Sequence, residues 1–158
     1  MVTIRPNTVA DISDLVRLRR LMFGDMGCQD SAKLDASDRA CHRYFARAIP
    51  AGSFYGWLAV TPEGEAVGSG GVVIDQHPPG PANLSGQIGY IMTIVTVPHY
   101  RRRGIARRVM QVILEWLAEQ GIQRVALHTS DDGRSLYESL GFQPSNEMRL
   151  HLETSKEH

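Results

Sequence analysis

Not one residue from Gln87 to Val97, in the run QIGYIMTIVTV, carries a charge. A run of this length, rich in Ile, Val and Thr, predicts a strand covered on both faces at the centre of a sheet. It is followed by the turn Pro98-His99-Tyr100-Arg101-Arg102-Arg103-Gly104. Beyond that, Ile105, Val109, Ile113 and Leu117, joined by Met110 and Leu114, recur at helical spacing up to Gln120-Gly121. A buried strand that feeds an amphipathic helix through a glycine turn commits the chain to a layered α/β domain.

The remaining elements are read around that unit. Val2 to Arg5 predicts a short strand. Thr8, with Asp11 three positions on, is the start signal of a helix whose apolar stripe is Ile12, Leu15, Leu18 and Met22. Gly24 to Leu34 has no period and reads as a loop. Ser37 to Ala48 reads as a second helix, ended by Pro50 and Gly52. Phe54 to Val60 and Val67 to Ile74 flank the turn Pro62-Glu63-Gly64-Glu65 and predict a hairpin. His77 to Pro81 is a stiff loop. Arg124 to His128 is a strand, Arg134 to Leu140 a short helix capped by Gly141, and Met148 to Leu152 an alternating final strand. The order β-α-α-β-β-β-α-β-α-β, without repeat or linker, predicts one domain over residues 1–158.

Composition narrows the function classes. The chain has 158 residues, enough for a single core, and its 17 basic residues balance 17 acidic ones. No global field draws it to nucleic acid or to a membrane, and no run approaches the ~20 apolar residues that cross a bilayer. Met1 to Pro6 lacks the apolar stretch of a signal peptide, so a cytoplasmic protein is expected. Cys28 and Cys41 are too few for a disulfide framework or a cysteine-rich zinc site, so no metal is expected. The sequon Asn83-Leu84-Ser85 carries no weight without a secretory signal.

The chemistry concentrates in Pro98 to Ala106. The first turn of a helix offers several unpaired N–H groups and partial positive charge. Gly104 has no side chain to block the approach of a phosphate, Ala106 keeps the next turn small, and the arginines add charge. Donors and cations spread over two turns suit a diphosphate better than one carboxylate. The alternative is a solvated charge run. Cations at a helix N-terminus oppose its dipole by about 0.3–1 kcal/mol each, so three in a row call for a compensating anion.

The segment Arg101-x-x-Gly104-x-Ala106 resembles the acetyl-CoA signature of the GNAT superfamily of N-acetyltransferases, with Pro98 and Tyr100 at positions where that family often has proline and an aromatic. Leu136-Tyr137-Glu138-Ser139-Leu140-Gly141-Phe142 is similar to its second signature. The resemblance is strong over 86–142 and looser over 1–85. It implies the GNAT fold, a mixed, mostly antiparallel sheet splayed between strands 4 and 5 and flanked by about four helices. It implies acetyl-CoA as acetyl donor. By position, the pantetheine arm would pair with Ile94, Val95 and Thr96. The diphosphate would take the N–H groups of Arg102, Arg103, Gly104, Ile105 and Ala106, with Arg101 at the first position of the signature. One strand N–H would polarise the thioester carbonyl.

By the same carry-over Tyr137 stands as the general acid, and the competing reading makes it a packing residue on an amphipathic helix. Ser130 stands where many members have an asparagine that contacts the coenzyme arm. The glutamate that many members carry on strand four is missing from Tyr90-Ile91-Met92-Thr93. His128, at a strand end, is the leading base candidate, ahead of Asp75, His77 and Asp25. The resemblance places the acceptor pocket largely on the first two helices and the loop joining them, from Leu21 to Met26 and onward, with the turns near the final strands and the proline-rich loop after Asp75. Three functions follow: acetylation of a primary amine on a small molecule, acetylation of a protein or peptide, or non-catalytic binding of an acyl-CoA. Homodimers are frequent in the family, and no feature of this sequence establishes one.

Overall fold

A computed structural model describes residues 1–153, and the chain divides into two units, Met1 to His128 and Thr129 onward. The first unit holds β1 (Thr3–Pro6), α1 (Ile12–Asp25), α2 (Ser31–Ala51), β2 (Tyr55–Val60), β3 (Ala66–Gln76), β4 (Gln87–Thr96), α3 (Ile105–Glu119) and β5 (Arg124–Leu127). The second holds α4 (Asp131–Ser139). The strands form one sheet in the order β1-β2-β3-β4-β5, antiparallel as far as β4, with β5 parallel to β4. Only a crossover can join parallel neighbours, and α3 is that crossover.

Charge is absent from β4 because the sheet is covered on both sides. On one face, Leu15 and Leu18 of α1 and Phe45 and Ala48 of α2 pack with Phe54, Leu58 and Val95. On the other lies α3, whose Val109, Met110, Ile113 and Leu117 are fully or almost fully buried. The sheet is flattened to receive this helix. A methyl group on Gly70 would fall 2.5 Å from Val109 Cγ1 and 2.9 Å from Ile113 Cδ1, and one on Gly89 would fall 2.8 Å from Leu117 Cδ2.

The start of α1 is fixed by charge. Thr8 and Asp11 form a capping box around the helical turn Val9–Asp11 that precedes α1. Asp11 also accepts two bonds of 2.9 Å from the Arg5 guanidinium. The Arg5 bonds, helped by the Thr8 N–H, hold the Asp11 carboxyl below its ordinary range against the opposing effect of burial. The side chain is only 10% exposed.

β4 is irregular in its middle. Val95 faces Ser69 and Met92 faces Gly71, so Thr93 and Ile94 together oppose Gly70, and Thr93 takes φ 57°. The extra residue is a β-bulge, which bends a strand and interrupts its ladder. The Ser69 hydroxyl, buried with it, donates to the Thr93 carbonyl at 2.9 Å. Just before this point the pairing with β5 ends: Ile88 to Ile91 face Arg124 to Leu127, and residues 92 to 96 have no strand partner on that side among the described residues.

Four expectations are corrected. The loop over 24–34 shrinks, because α1 continues through Gly24 to Asp25 and α2 starts at Ser31, where the Asp30 carboxylate accepts from the Ala32 and Lys33 N–H groups. Pro50 does not stop α2, which runs on to Ala51 and ends at the expected Gly52, a left-handed C-cap at φ 70°. The short helix begins at Asp131, earlier than Arg134, because Ser130 supplies its N-cap. The final strand over Met148 to Leu152 does not form. Alternation makes a strand only where a neighbour takes its hydrogen bonds, and these three apolar side chains, Met148, Leu150 and Leu152, stay 97%, 80% and 72% exposed.

Two stability measurements check this account. Gly70→Ala should lower stability by about 1–3 kcal/mol by overpacking the α3 interface. Gly24→Ala, inside α1 with nothing within 4 Å, should raise it by about 0.5–1 kcal/mol. Urea midpoints read both, and equal shifts would contradict the tight seating of α3. Asp11→Asn should cost about 1–3 kcal/mol at neutral pH. Because the folded carboxyl binds its proton less readily than the unfolded one, the wild-type advantage is full above the unfolded pKa of about 3.9 and fades as pH falls through the folded value. The gap between the two proteins in urea unfolding should therefore narrow from pH 7 to pH 3.

Candidate functional site

After β4 the chain makes a single helical turn, Pro98–Tyr100, and then an unusual approach to α3. Arg101 is extended, Arg102 sits in the left-handed region at φ 64°, and Gly104 returns to it at φ 78°. A left-handed arginine costs on the order of 1 kcal/mol, a strain that clusters where backbone groups are aimed at a ligand. The first bond of α3 runs from the Arg108 N–H to the Gly104 carbonyl at 3.1 Å, so the amides of Ile105 and Ala106 precede the helical ladder. The amides of Arg102, Arg103 and Gly104 also meet no protein acceptor among the described residues. Successive amides in such a turn make an anion-binding concavity. A methyl group on Gly104 would touch nothing within 4 Å, so the space before it is open.

The three arginines divide their work. Arg101 turns back: its Nε donates to the Thr96 carbonyl at 2.8 Å, and its Nη2 meets the Asp25 carboxylate at 2.6 Å. It therefore braces the turn against the end of β4 and the last turn of α1. Arg102 and Arg103 are exposed, and the Arg103 guanidinium lies over the Tyr100 ring, 4.9 Å from its centroid. Ile94, Val95 and Thr96 lie along the stretch of β4 whose β5 side is open, directly upstream of the turn. Among the described residues, the first unit thus gathers an open strand edge and the amides of residues 102 to 106, which meet no protein acceptor, into one path. His128 is exposed just beyond β5. Asp75 and His77 are exposed at the far end of β3, and Asp25 is engaged with Arg101.

Ser130 and Tyr137 belong to the second unit. The Ser130 hydroxyl accepts from the Gly133 N–H at 3.3 Å and caps α4. The second signature has a local cause. At the end of α4, Gly141 takes φ 101°, its N–H reaches the Glu138 carbonyl, and the Phe142 N–H reaches the Tyr137 carbonyl, both at 3.0 Å. That is a Schellman ending, which usually brings together the residues bearing the outer bond. Here the Tyr137 and Phe142 rings meet edge to face, their centroids 6.1 Å apart. The Tyr137 ring lies on Gly133, where a methyl group would come within 2.8 Å of Cε2. Burial raises the Tyr137 hydroxyl above its usual pKa of 10.0, which keeps its proton available at neutral pH.

The first unit holds a cavity of about 270 Å³, lined among others by Arg19, Cys41, Tyr44, Phe45, Phe54 and Met92. The acceptor pocket is expected on the first two helices and the loop joining them, and this cavity draws on both helices, though not on Leu21 to Met26. Leu21 and Met22 pack on the core, Phe23 lies beneath the Arg19 guanidinium, and Met26 is exposed. The missed signal is in α2, where Ser37, Ala40, Cys41 and Tyr44 recur at helical spacing as a stripe of small side chains ending in an aromatic.

Residues 16–142 match the acetyltransferase (GNAT) family, and the chain belongs to it. A structure of a GCN5-related N-acetyltransferase from Ralstonia eutropha matches 96% of this chain and 99% of its own, with a TM-score of 0.88 at 28% identity. A second, described as a predicted acetyltransferase with acetyl-CoA from Clostridium acetobutylicum, matches 97% and 96%, with a TM-score of 0.86 at 27% identity. Among curated proteins, N-alpha-acetyltransferase 30 of Schizosaccharomyces pombe is 39% identical over 57 residues, which span 34% of this chain and 38% of that protein. The uncharacterized N-acetyltransferase YsnE of Bacillus subtilis is 37% identical over 60 residues, 35% of this chain and 40% of that one. Both alignments thus span about two-fifths of the curated relative.

Proposed function

We propose that the protein is an acetyl-CoA-dependent N-acetyltransferase that acts in the cytoplasm on a primary amine of a small molecule, by direct attack within a ternary complex. The observation that carries this reading is the row of amides at residues 102 to 106, unmatched by protein acceptors among the described residues and preceded by an open strand edge. The residues fit the coenzyme. The concavity at Gly104 is clear of side chains, and Arg102 and Arg103 are exposed beside it.

In this reading the amides of Arg102, Arg103, Gly104, Ile105 and Ala106 hold the diphosphate, while Arg101 keeps the turn in shape through Thr96 and Asp25. The open edge at Ile94, Val95 and Thr96 takes the extended arm as a strand takes a neighbour, and one N–H there stabilises charge developing on the carbonyl oxygen. Acetyl-CoA supplies an acetyl group as a thioester, whose transfer forms the N–C bond, breaks the C–S bond and moves one proton from nitrogen to sulfur overall. Tyr137 delivers a proton from its hydroxyl, and burial suits it to hold that proton until needed. His128 serves as the base that relieves the amine of its proton. Ser130 contributes its hydroxyl hydrogen to the coenzyme arm while its oxygen caps α4.

Calorimetry and turnover test the assignment. The folded protein should bind acetyl-CoA and free coenzyme A, and failure to bind either would end this reading. Gly104→Ala should weaken binding about tenfold, roughly 1.4 kcal/mol. Its added methyl meets no protein atom within 4 Å, but alanine at φ 78° strains the turn, so urea unfolding of the variant is measured beside binding to separate a distorted turn from a blocked ligand. Tyr137→Phe should lower kcat on the order of 100-fold with little change in the KM for acetyl-CoA. Unchanged turnover would return Tyr137 to a purely packing role.

A further inference from the structure

The cavity between α1, α2, the start of β2 and the middle of β4 has a chemistry of its own. Its walls are mostly apolar, with Phe45, Phe54, Ala40 and Met92 beside the Tyr44 ring. Arg19 is the one charged side chain that lines it. No carboxylate among the described residues pairs with Arg19, although Arg5, Arg17, Arg20 and Arg101 all have one. Its Nε–H is buried without an acceptor among the described residues, and the guanidinium rests on the Phe23 ring, 4.9 Å from the centroid. Buried donors on charged groups are seldom left unpaired, and an arginine fork matches a carboxylate in two parallel bonds. Burial raises the Tyr44 hydroxyl above its usual pKa, a rise that the positive charges of Arg19 and Arg47 oppose and the negative charge of Asp75 assists.

Given the acetyltransferase reading, on which this rests, we propose that the cavity is the acceptor pocket and selects amines that carry a carboxylate next to an apolar group, the chemistry of a hydrophobic α-amino acid. The cavity, at about 270 Å³, is at the small end for ligand sites and matches an acceptor of amino-acid size. Met92 lines it and is also the residue at which the β5 side of β4 opens. An acceptor bound by its carboxylate at Arg19 and by its side chain among the aromatics therefore lies beside the strand edge assigned to the thioester arm. A polyamine or an aminoglycoside would instead set its positive charges against Arg19.

The test measures thiol release from acetyl-CoA with L-phenylalanine, L-leucine, L-phenylalaninamide, a peptide with a free N-terminus, and spermidine. The free acids should exceed the amide, the peptide and spermidine by at least about tenfold in kcat/KM. Amine reactivity cannot put the acids above the amide or the peptide, because those two have the less basic amines and more of each is unprotonated at neutral pH. The comparison with these two therefore decides the test. Arg19→Gln should erase the preference for the acid while calorimetry shows acetyl-CoA bound as in the wild type. Arg19→Lys should keep part of the preference, and it carries the test if Arg19→Gln does not fold. Equal or better turnover of the amide, the peptide or spermidine overturns the proposal. So does a preference that survives Arg19→Gln, or a protein that binds acetyl-CoA yet turns over none of the acids. Absence of acetyl-CoA binding instead removes the broader reading.

Discussion

One extra residue in β4 organises the first unit. Where Thr93 and Ile94 share a single partner across the sheet, the chain spends a left-handed threonine and a buried serine hydroxyl to hold the irregularity. Upstream of it β4 has neighbours on both sides, and downstream it has one. A sheet edge left bare in its interior is a liability in most folds, because it invites foreign strands. Here the bare stretch is short, bounded by the bulge and by Pro98, and leads straight into the amides before α3. The hydrogen bonds missing from the protein are the ones an extended, polar ligand can make.

How far the sequence disclosed this depended on how local each cause was. The central strand and α3 were readable because their signals are extreme: no charge over Gln87 to Val97, and an unbroken apolar stripe from Ile105 to Leu117. The turn between them was readable because glycine, arginine and a helix start coincide. The segment joining α1 and α2 was misread from its mixed composition, although Asp30 ahead of Ser31 is an ordinary cap. The last strand was misread for the opposite reason. Alternation over Met148 to Leu152 is genuine, but pairing is a property of two segments and cannot be read from one. The bulge arises from register between distant residues and left no local mark, whereas the cavity beside Arg19 left only the stripe of small side chains along α2.

The second signature shows how a motif can serve structure and chemistry together. Tyr137 closes the end of α4 through its own carbonyl, packs its ring on Phe142, and lies where only glycine at 133 leaves room. Each contact fixes the ring, and a fixed phenol is what proton delivery requires. The packing contacts are therefore compatible with the catalytic role proposed for this residue.

The brace formed by Arg101 has a consequence for the medium in which the protein works. Its ion pair with Asp25 is short, yet both side chains are more than two-fifths exposed. Mobile ions weaken such a contact as the screening length falls toward ~3 Å at molar salt. The Nε bond to the Thr96 carbonyl and the Gly104 bend involve no opposing charge and are screened far less. Brine should thus loosen the tether to α1 while leaving the curvature of the glycine bend in place, so that the two ends of one arginine respond differently to their surroundings.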